Sequence, residues 1–497
     1  MKQEGYSVYK IGFWFFLLLF IIDWGYQSIN YNKRNYEKLN HIEEMYDLIL
    51  NNYQNSITED SLIQFLRDGL LDNLDPFTQY ISKKELERVN EEFTGDFYGI
   101  GVQFTIIRDT VMVIKVIDDG PSQKADILAG DRIIGVNSEN FTGKKINNSV
   151  VMNTLRGKRG EKVELKIFRK NKEFKKTLYR DAIPLNSIEA SYLINDNIGY
   201  IKLDKFSATT YNEFKDVLSD LKKQGATKLV LDLRNNGGGY LGQAVDVVNE
   251  FLDGNLEIVS TEGNSRSRQT YYSNNKGKFK KGDIVILINE ESASASEIVA
   301  GAIQDHDRGY VVGKKSYGKG LVGEQFLLSD GGAVRMTIAK YYTPSGRCIQ
   351  KPYRSSDTIA SNQEFKTKGG RVVFSEGGIT PDYIISSDTM SDFESDFWNK
   401  NYNALYESAF DVADNNRKKL KENYNNFFNK NRDVFWLKIM ALSIDEVNKA
   451  KMLEFENNFI TLFENMILNQ ILSTEELIYF YNKDDEYLKK ALEILVF

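Results

Sequence analysis

The chain has 497 residues, 64 of them Lys or Arg and 70 Asp or Glu, for a formal net charge of −6. At roughly 150 residues per domain it holds about three domains with buried cores, and 41% hydrophobic residues with only 6 Pro exclude a collagen-like or mainly disordered polypeptide. The acidic balance argues against nucleic acid as a partner, while one Cys (Cys348) and two His (His41, His306) exclude an internal disulfide and a Cys/His metal site.

Lys2 and Lys10 precede the apolar run IGFWFFLLLFII at residues 11–22, the layout of a charged n-region and a signal-type h-region. No small-x-small cleavage site follows, since Asp23, Trp24, Gly25 and Tyr26 come next. Residues 1–24 therefore read as an uncleaved signal anchor, with the rest of the chain in the cell envelope, periplasmic or extracytoplasmic; a buried core helix is the alternative. Residues 25–92 read as an N-terminal helical region. Ile42, Met45, Leu48 and Ile49, then Leu62, Phe65, Leu66 and Leu70, recur at helical spacing and suit a packing or dimer-forming arm, hence a possible homodimer.

Residues 93–180 switch to short alternating strands, Gly101–Ile107, Val111–Ile117, Arg132–Val136 and Val163–Arg169. The stretch Tyr98, Gly99, Ile100, Gly101, Val102 sets two glycines just ahead of a strand. Their N–H groups can hold a peptide carboxylate while its extended backbone joins the strand edge; an ordinary Gly-rich turn is the alternative. With Gly120-Pro121-Ser122, Ala125–Leu128 and Gly130-Asp131-Arg132-Ile133-Ile134 following in order, the region resembles a PDZ domain.

Residues 181–390 read as α/β. Strands at Ile198–Leu203, Lys228–Leu233 and Asp283–Asn289 each run through a turn into a helix, which favours a mainly parallel sheet. The first helix is expected to start with Thr210 and Glu213 as a capping box and to stop at Gly225. Ligands bind at the carboxyl ends of such strands, where two turns stand out. Ser294 and Glu297 form S-x-x-E, so the Ser294 hydroxyl is either a helix cap or a nucleophile. Gly237–Gly239 has no side chains to keep a reacting carbonyl oxygen from its N–H groups. Downstream, Ser316-Tyr317-Gly318-Lys319-Gly320 offers Lys319 as a base, provided desolvation lowers its pKa from ~10.4 toward ~7–8. Residues 391–497 read as a C-terminal helical domain without chemistry. The apolar end Leu492–Phe497 either packs into that domain or docks on a PDZ groove.

Residues 60–385 resemble the C-terminal processing peptidases, the carboxyl-terminal or tail-specific proteases of the S41 family. The resemblance rests on Asp75-Pro76-Phe77-Thr78-Gln79-Tyr80, the PDZ-like module, Leu155-Arg156-Gly157, Asp232–Gly239, Ser292–Glu297, Ser316–Gly320, Tyr342–Arg347 and Gly378–Asp382. It implies an α/β multidomain chain: a crotonase/ClpP-like α/β serine protease core with an inserted PDZ domain, an N-terminal helical arm and a C-terminal helical domain. It further implies that Ser294 is the nucleophile, Lys319 the general base, and the N–H groups of Gly239 and Ala295 the oxyanion hole, with protein substrates ending in apolar residues and no cofactor. One departure stands: the family's orienting Gln, four residues after the Lys, is Gly323 here, and Gln325 is the candidate substitute. Rival readings are a PDZ scaffold with impaired catalysis and a crotonase-like enzyme acting on acyl thioesters. Arg156 is the candidate link between PDZ domain and core.

Overall fold

The computed structural model describes residues 39–353, 363–375, 377–386, 390–442 and 446–496. They divide into two compact units, one up to Tyr80 and one from Ile81 onward. The expected anchor at residues 11–22 lies outside the described residues. Among those described, no helix is long and apolar enough to cross a membrane.

In the first unit, residues 39–52 and Glu59–Leu71 are helical, the second opened by Thr58, whose hydroxyl oxygen accepts the Ser61 N–H. Leu62 is buried, whereas Ile42, Met45, Leu48, Phe65, Leu66 and Leu70 are exposed.

Among the described residues, the second unit has three large cores. In the first, an antiparallel sheet of Val102–Ile107, Thr110–Val116, Arg132–Val136, Lys162–Arg169 and Lys172–Tyr179 packs with the helix Asn148–Leu155, burying Val111, Ile133, Val151, Leu155 and Leu165. Val102–Ile107 lies at the edge of this sheet. The last strand is absent from the sequence expectation because Lys172, Lys175 and Lys176 obscure its alternation, in which Phe174 and Leu178 supply the apolar side.

The second core surrounds a six-stranded sheet ordered Ile188–Leu193, Ile198–Leu203, Lys228–Asp232, Asp283–Ile288, Tyr310–Gly313 and Tyr383–Ile384. All neighbours are parallel except the first pair. Its strands are apolar nearly throughout because both faces are covered. Phe214, Leu218, Val247, Val248 and Ile303 from the helices Thr210–Lys223, Leu241–Asn249 and Ala295–Asp305 close one face. Leu488, Ala491 and Leu495 of the last helix, Glu486–Val496, close the other against Tyr200, Val230, Val285 and Leu287. The described part of the tail takes neither expected place: Leu495 packs on this sheet rather than within the C-terminal helical domain and the Lys228 ammonium bonds its carbonyl, while Phe497 lies outside the described residues.

The expected Thr210/Glu213 capping box is replaced by a different cap. Thr210 is fully buried and its Oγ1 accepts the Ser207 N–H at 2.8 Å, so it faces inward. Glu213 instead accepts from the Thr209 hydroxyl at 2.6 Å and the Ser187 N–H at 2.7 Å.

The third core joins the helix Asp392–Met440, which departs from helical geometry at Asn416 and Asn423, to Glu456–Leu468 through Leu405, Ala409, Leu420, Phe435, Phe459 and Phe463. The same long helix packs on the PDZ-like sheet. Phe410 sits with Ile107 and Met112, Arg108 pairs with Glu407 (3.2 Å) and Asp411 (2.8 Å), and Tyr406 reaches Thr105.

Candidate active site

The turns after Lys228–Asp232 and Asp283–Ile288 meet. Ala293 N–H donates to the Asn236 carbonyl at 3.0 Å, and Ser296 Oγ donates to the same oxygen at 2.9 Å. Ser292 Oγ donates to the Leu233 carbonyl at 2.8 Å. Two hydroxyls of the serine run are therefore fully buried and bound to backbone carbonyls, whereas Ser294 is half-buried and lines a cleft of about 1230 Å³. Ser294 opens the helix Ala295–Asp305 with φ 55° and ψ −112°, a strained conformation for a residue with a Cβ. Four hydrogen bonds hold it there: its N–H donates to Glu297 at 2.8 Å, and its carbonyl accepts the N–H groups of Glu297 at 2.9 Å and Ile298 at 3.0 Å and the buried Tyr341 hydroxyl at 3.1 Å.

Glu297 is fully buried and does more than cap its helix. One oxygen accepts from Ser316 Oγ (2.5 Å) and Gly318 N–H (2.8 Å), the other from Ser294 N–H and Lys319 N–H (2.9 Å). Burial pushes its pKa above the ordinary carboxylate value against the pull of these hydrogen bonds. The result fastens the backbones of Ser294 and Lys319 to one carboxylate, with both side chains on the same cleft.

Gly238 lies against the serine: a Cβ there would sit 2.8 Å from Ser294 Cβ and 2.7 Å from the Ala293 carbonyl, and φ is 98°. The Gly238 N–H is taken by Asn236 Oδ1 (2.9 Å) and the Tyr240 N–H by the Phe206 carbonyl (2.8 Å), leaving Gly239 between them on the cleft. The Ala295 nitrogen, in the first turn of the serine's helix, lies 3.0 Å from the position a Gly238 Cβ would take.

Gln325 also lines the cleft, on a strand whose register shifts between Val322 and Gly323. Its amide contacts Asn90 at 3.5 Å and Arg335 at 3.4 Å, both long. His306 ends the Ser294 helix with its Nε2 at 2.6 Å from the Glu257 carbonyl.

The five residues expected to bind a peptide lie apart from the residues lining this cleft. Tyr98 and Gly99 belong to a strand, Asp96–Gly99, paired with Asp181–Pro184, so Gly99 is not in a loop. Ile100 is buried and its carbonyl accepts the Ser122 N–H; Gly101, at φ 75°, turns the chain into Val102 and the edge strand. Arg156 pairs with Glu91 at 2.8 Å and stacks on Phe97 at 4.2 Å. Glu91 lies on the helix Lys83–Thr94, whose Asn90 and Phe93 line the Ser294 cleft.

Behind the glycine turn is a polar network the sequence reading missed. Asp232, fully buried, accepts from Tyr200 (2.7 Å), the Arg234 N–H (2.9 Å) and the Arg234 guanidinium (2.6 Å), and pairs with Lys202 at 3.4 Å. Burial would raise its pKa, but Arg234 and Lys202 outweigh burial and hold it well below the usual carboxylate range.

Residues 197–385 match the model of peptidase family S41, and residues 99–178 match that of the PDZ domain. A probable CtpA-like serine protease of Staphylococcus aureus (strain bovine RF122 / ET3-1) is 34% identical over 355 residues, covering 68% of this chain and 71% of that protein. A carboxy-terminal-processing protease of Bartonella bacilliformis is 35% identical over 333 residues, covering 65% of this chain and 76% of that protein. Among solved structures, the photosystem II D1 C-terminal processing protease is 25% identical with a TM-score of 0.39, over 69% of this chain and 86% of that one. With its PDZ module and its parallel-sheet core, the chain belongs to the S41 peptidases and, within them, to the C-terminal processing serine proteases.

Proposed function

We propose that the chain is an exported, membrane-anchored endopeptidase that takes apolar C-termini of protein substrates on its PDZ domain and cleaves near that end with Ser294 and Lys319. The observation that carries this reading is the attachment of both residues, through their backbones, to Glu297 at one cleft, while Ser292 and Ser296 spend their hydroxyls on backbone carbonyls. Lys319 Nζ takes the Ser294 proton as Oγ attacks the scissile carbonyl carbon. The N–H groups of Gly239 and Ala295 receive the oxyanion, and collapse expels the amine with the proton from Lys319. Water, deprotonated by Lys319, then hydrolyses the acyl-enzyme and returns the serine. Gln325, in the strand Leu321–Leu327 that follows Lys319, would orient that lysine by turning its amide from Asn90 and Arg335.

The substrate carboxylate sits on the backbone of Tyr98–Val102, and its chain extends the edge strand Val102–Ile107. The apolar run 11–22 supplies export and anchoring. The exposed apolar residues of the two N-terminal helices are the surface a second copy would cover. The test uses the chain without residues 1–24 and a disordered protein ending in apolar residues. Ser294→Ala and Lys319→Ala each abolish cleavage and keep the fold and peptide binding, and a fluorophosphonate labels wild-type Ser294. Labelling at Ser292 or Ser296, or turnover of an acyl thioester without peptide hydrolysis, refutes the reading.

A further inference from the structure

The C-terminal residues 391–497 carried no chemistry in the sequence, and the S41 match ends at residue 385. Their last helix nevertheless meets the catalytic turn from behind. Arg234 begins the segment that leads through Asn235 and Asn236 to Gly237–Gly239. One Arg234 nitrogen, Nη2, donates to Asp232 at 2.6 Å, and the other, Nη1, donates to Asp485 at 2.6 Å. Asp485 is held on its own side, because its second oxygen accepts the Leu488 N–H at 2.7 Å and so starts the helix Glu486–Val496. Tyr487 lies under the same guanidinium, 4.8 Å from ring to Arg234 Cζ, and Asn482 donates to Tyr192 at 2.6 Å beside it. Arg234 and Asp485 are each less than one-fifth exposed.

The ion pairs at this spot are Lys202 with Asp232, Arg234 with Asp232 and Arg234 with Asp485. A buried lysine and a largely buried arginine thus meet two carboxylates, one of which stands at the start of the last helix. Without Asp485, Arg234 would keep only Asp232, which Lys202 also pairs with. Arg234 would then have a half-satisfied guanidinium in a low-dielectric site, a cost relieved only by moving. Its backbone is fixed at both ends of the residue, the N–H on Asp232 and the carbonyl on the Lys202 ammonium, so movement of Arg234 is movement of the turn.

We propose that Asp485 is a positioning residue of the active site: through Arg234 it sets the path of residues 234–239 and hence the direction of the Gly239 N–H. The C-terminal helix is then part of the catalytic module. The inference rests on the reading of Gly239 as an oxyanion donor, so it is tested by two measurements that fail separately.

The first needs no activity. In Asp485→Asn, hydrogen exchange of the peptide spanning 234–241 is faster than in wild type, while the peptide spanning 295–305 is unchanged. The second is kinetic, per active site titrated with a fluorophosphonate. Here kcat falls about tenfold with KM changed less than about twofold, Asp485→Glu recovers most of the loss, and Glu493→Gln, exposed on the same helix, matches wild type. Unchanged exchange at 234–241 overturns the proposal, as does a kcat loss that disappears after titration. A wild type that neither hydrolyses peptides nor labels at Ser294 overturns the protease reading instead, and the exchange result still decides the role of Asp485.

Discussion

At the residue scale, Ser292 and Ser296 spend their hydroxyls on the Leu233 and Asn236 carbonyls, while Ser294 lines the cleft. The S-x-x-E pattern was legible as a cap, but the wider role of Glu297 was not, because three of its four donors lie some twenty residues downstream. Tyr341 gave no local signal either, being brought to the Ser294 carbonyl by the fold, and Asp232 and Arg234 stood in a motif that carried the resemblance without showing what they bind. Glu297 yields a sharp prediction. Each of its oxygens faces two donors, so Glu297→Gln turns an NH2 group toward two other donors whichever way the amide is flipped. The variant loses roughly 2–4 kcal/mol of stability for the two unmet donors, and the residual folded protein hydrolyses peptides more slowly than Tyr341→Phe. Urea unfolding and steady-state kinetics on both variants check this; equal kcat in Glu297→Gln and wild type contradicts it. Tyr341→Phe removes only the hydroxyl that holds the strained Ser294 carbonyl, so it costs about 1 kcal/mol of stability and lowers kcat rather than raising KM.

At the scale of elements, the parallel strands and their turns were legible because apolar runs bounded by Gly-rich or Ser-rich turns admit few other readings. The hairpin strand Lys172–Tyr179 and the edge strand Ile188–Leu193 were not, since one is laced with lysine and the other is half-exposed. The helix Lys83–Thr94 falls within the second unit and makes two contacts from successive residues: Glu91 takes Arg156, and Asn90 reaches Gln325. The Arg156–Glu91 pair is about one-third exposed on both sides. Arg156→Ala therefore costs about 1–2 kcal/mol, less than about 1 for the ion pair and about 0.5–1 for the stack on Phe97. A larger, severalfold drop in cleavage of a protein substrate, beside a melting temperature shifted by only a few degrees, is the outcome expected if this helix relays PDZ occupancy to the cleft. Cleavage at the wild-type rate would reduce the pair to a surface contact.

At the scale of the whole second unit, the C-terminal residues are the part whose packing was least legible, because an amphipathic helix shows in sequence that it buries a face but not against what. They contact both other cores: the long helix lies on the PDZ-like sheet through Phe410, Tyr406 and the Arg108 pairs, and the last helix closes the catalytic sheet. The first contact is separable from the second. Phe410 is 1% exposed and packs on Ile107 and Met112, whereas the catalytic sheet rests on Leu488, Ala491 and Leu495. Phe410→Ala removes about 3–5 kcal/mol of packing at a single contact. The expected result is faster hydrogen exchange in the strands Val102–Ile107 and Thr110–Val116 and in the helix Asp392–Met440, with Lys228–Asp232 and Asp283–Ile288 protected as in wild type. The PDZ module then loosens from the C-terminal helix while the catalytic sheet stays closed. Exchange that rises equally in all these segments would mean the unit unfolds as one piece, and no rise in Val102–Ile107 would mean Phe410 does not hold the PDZ module.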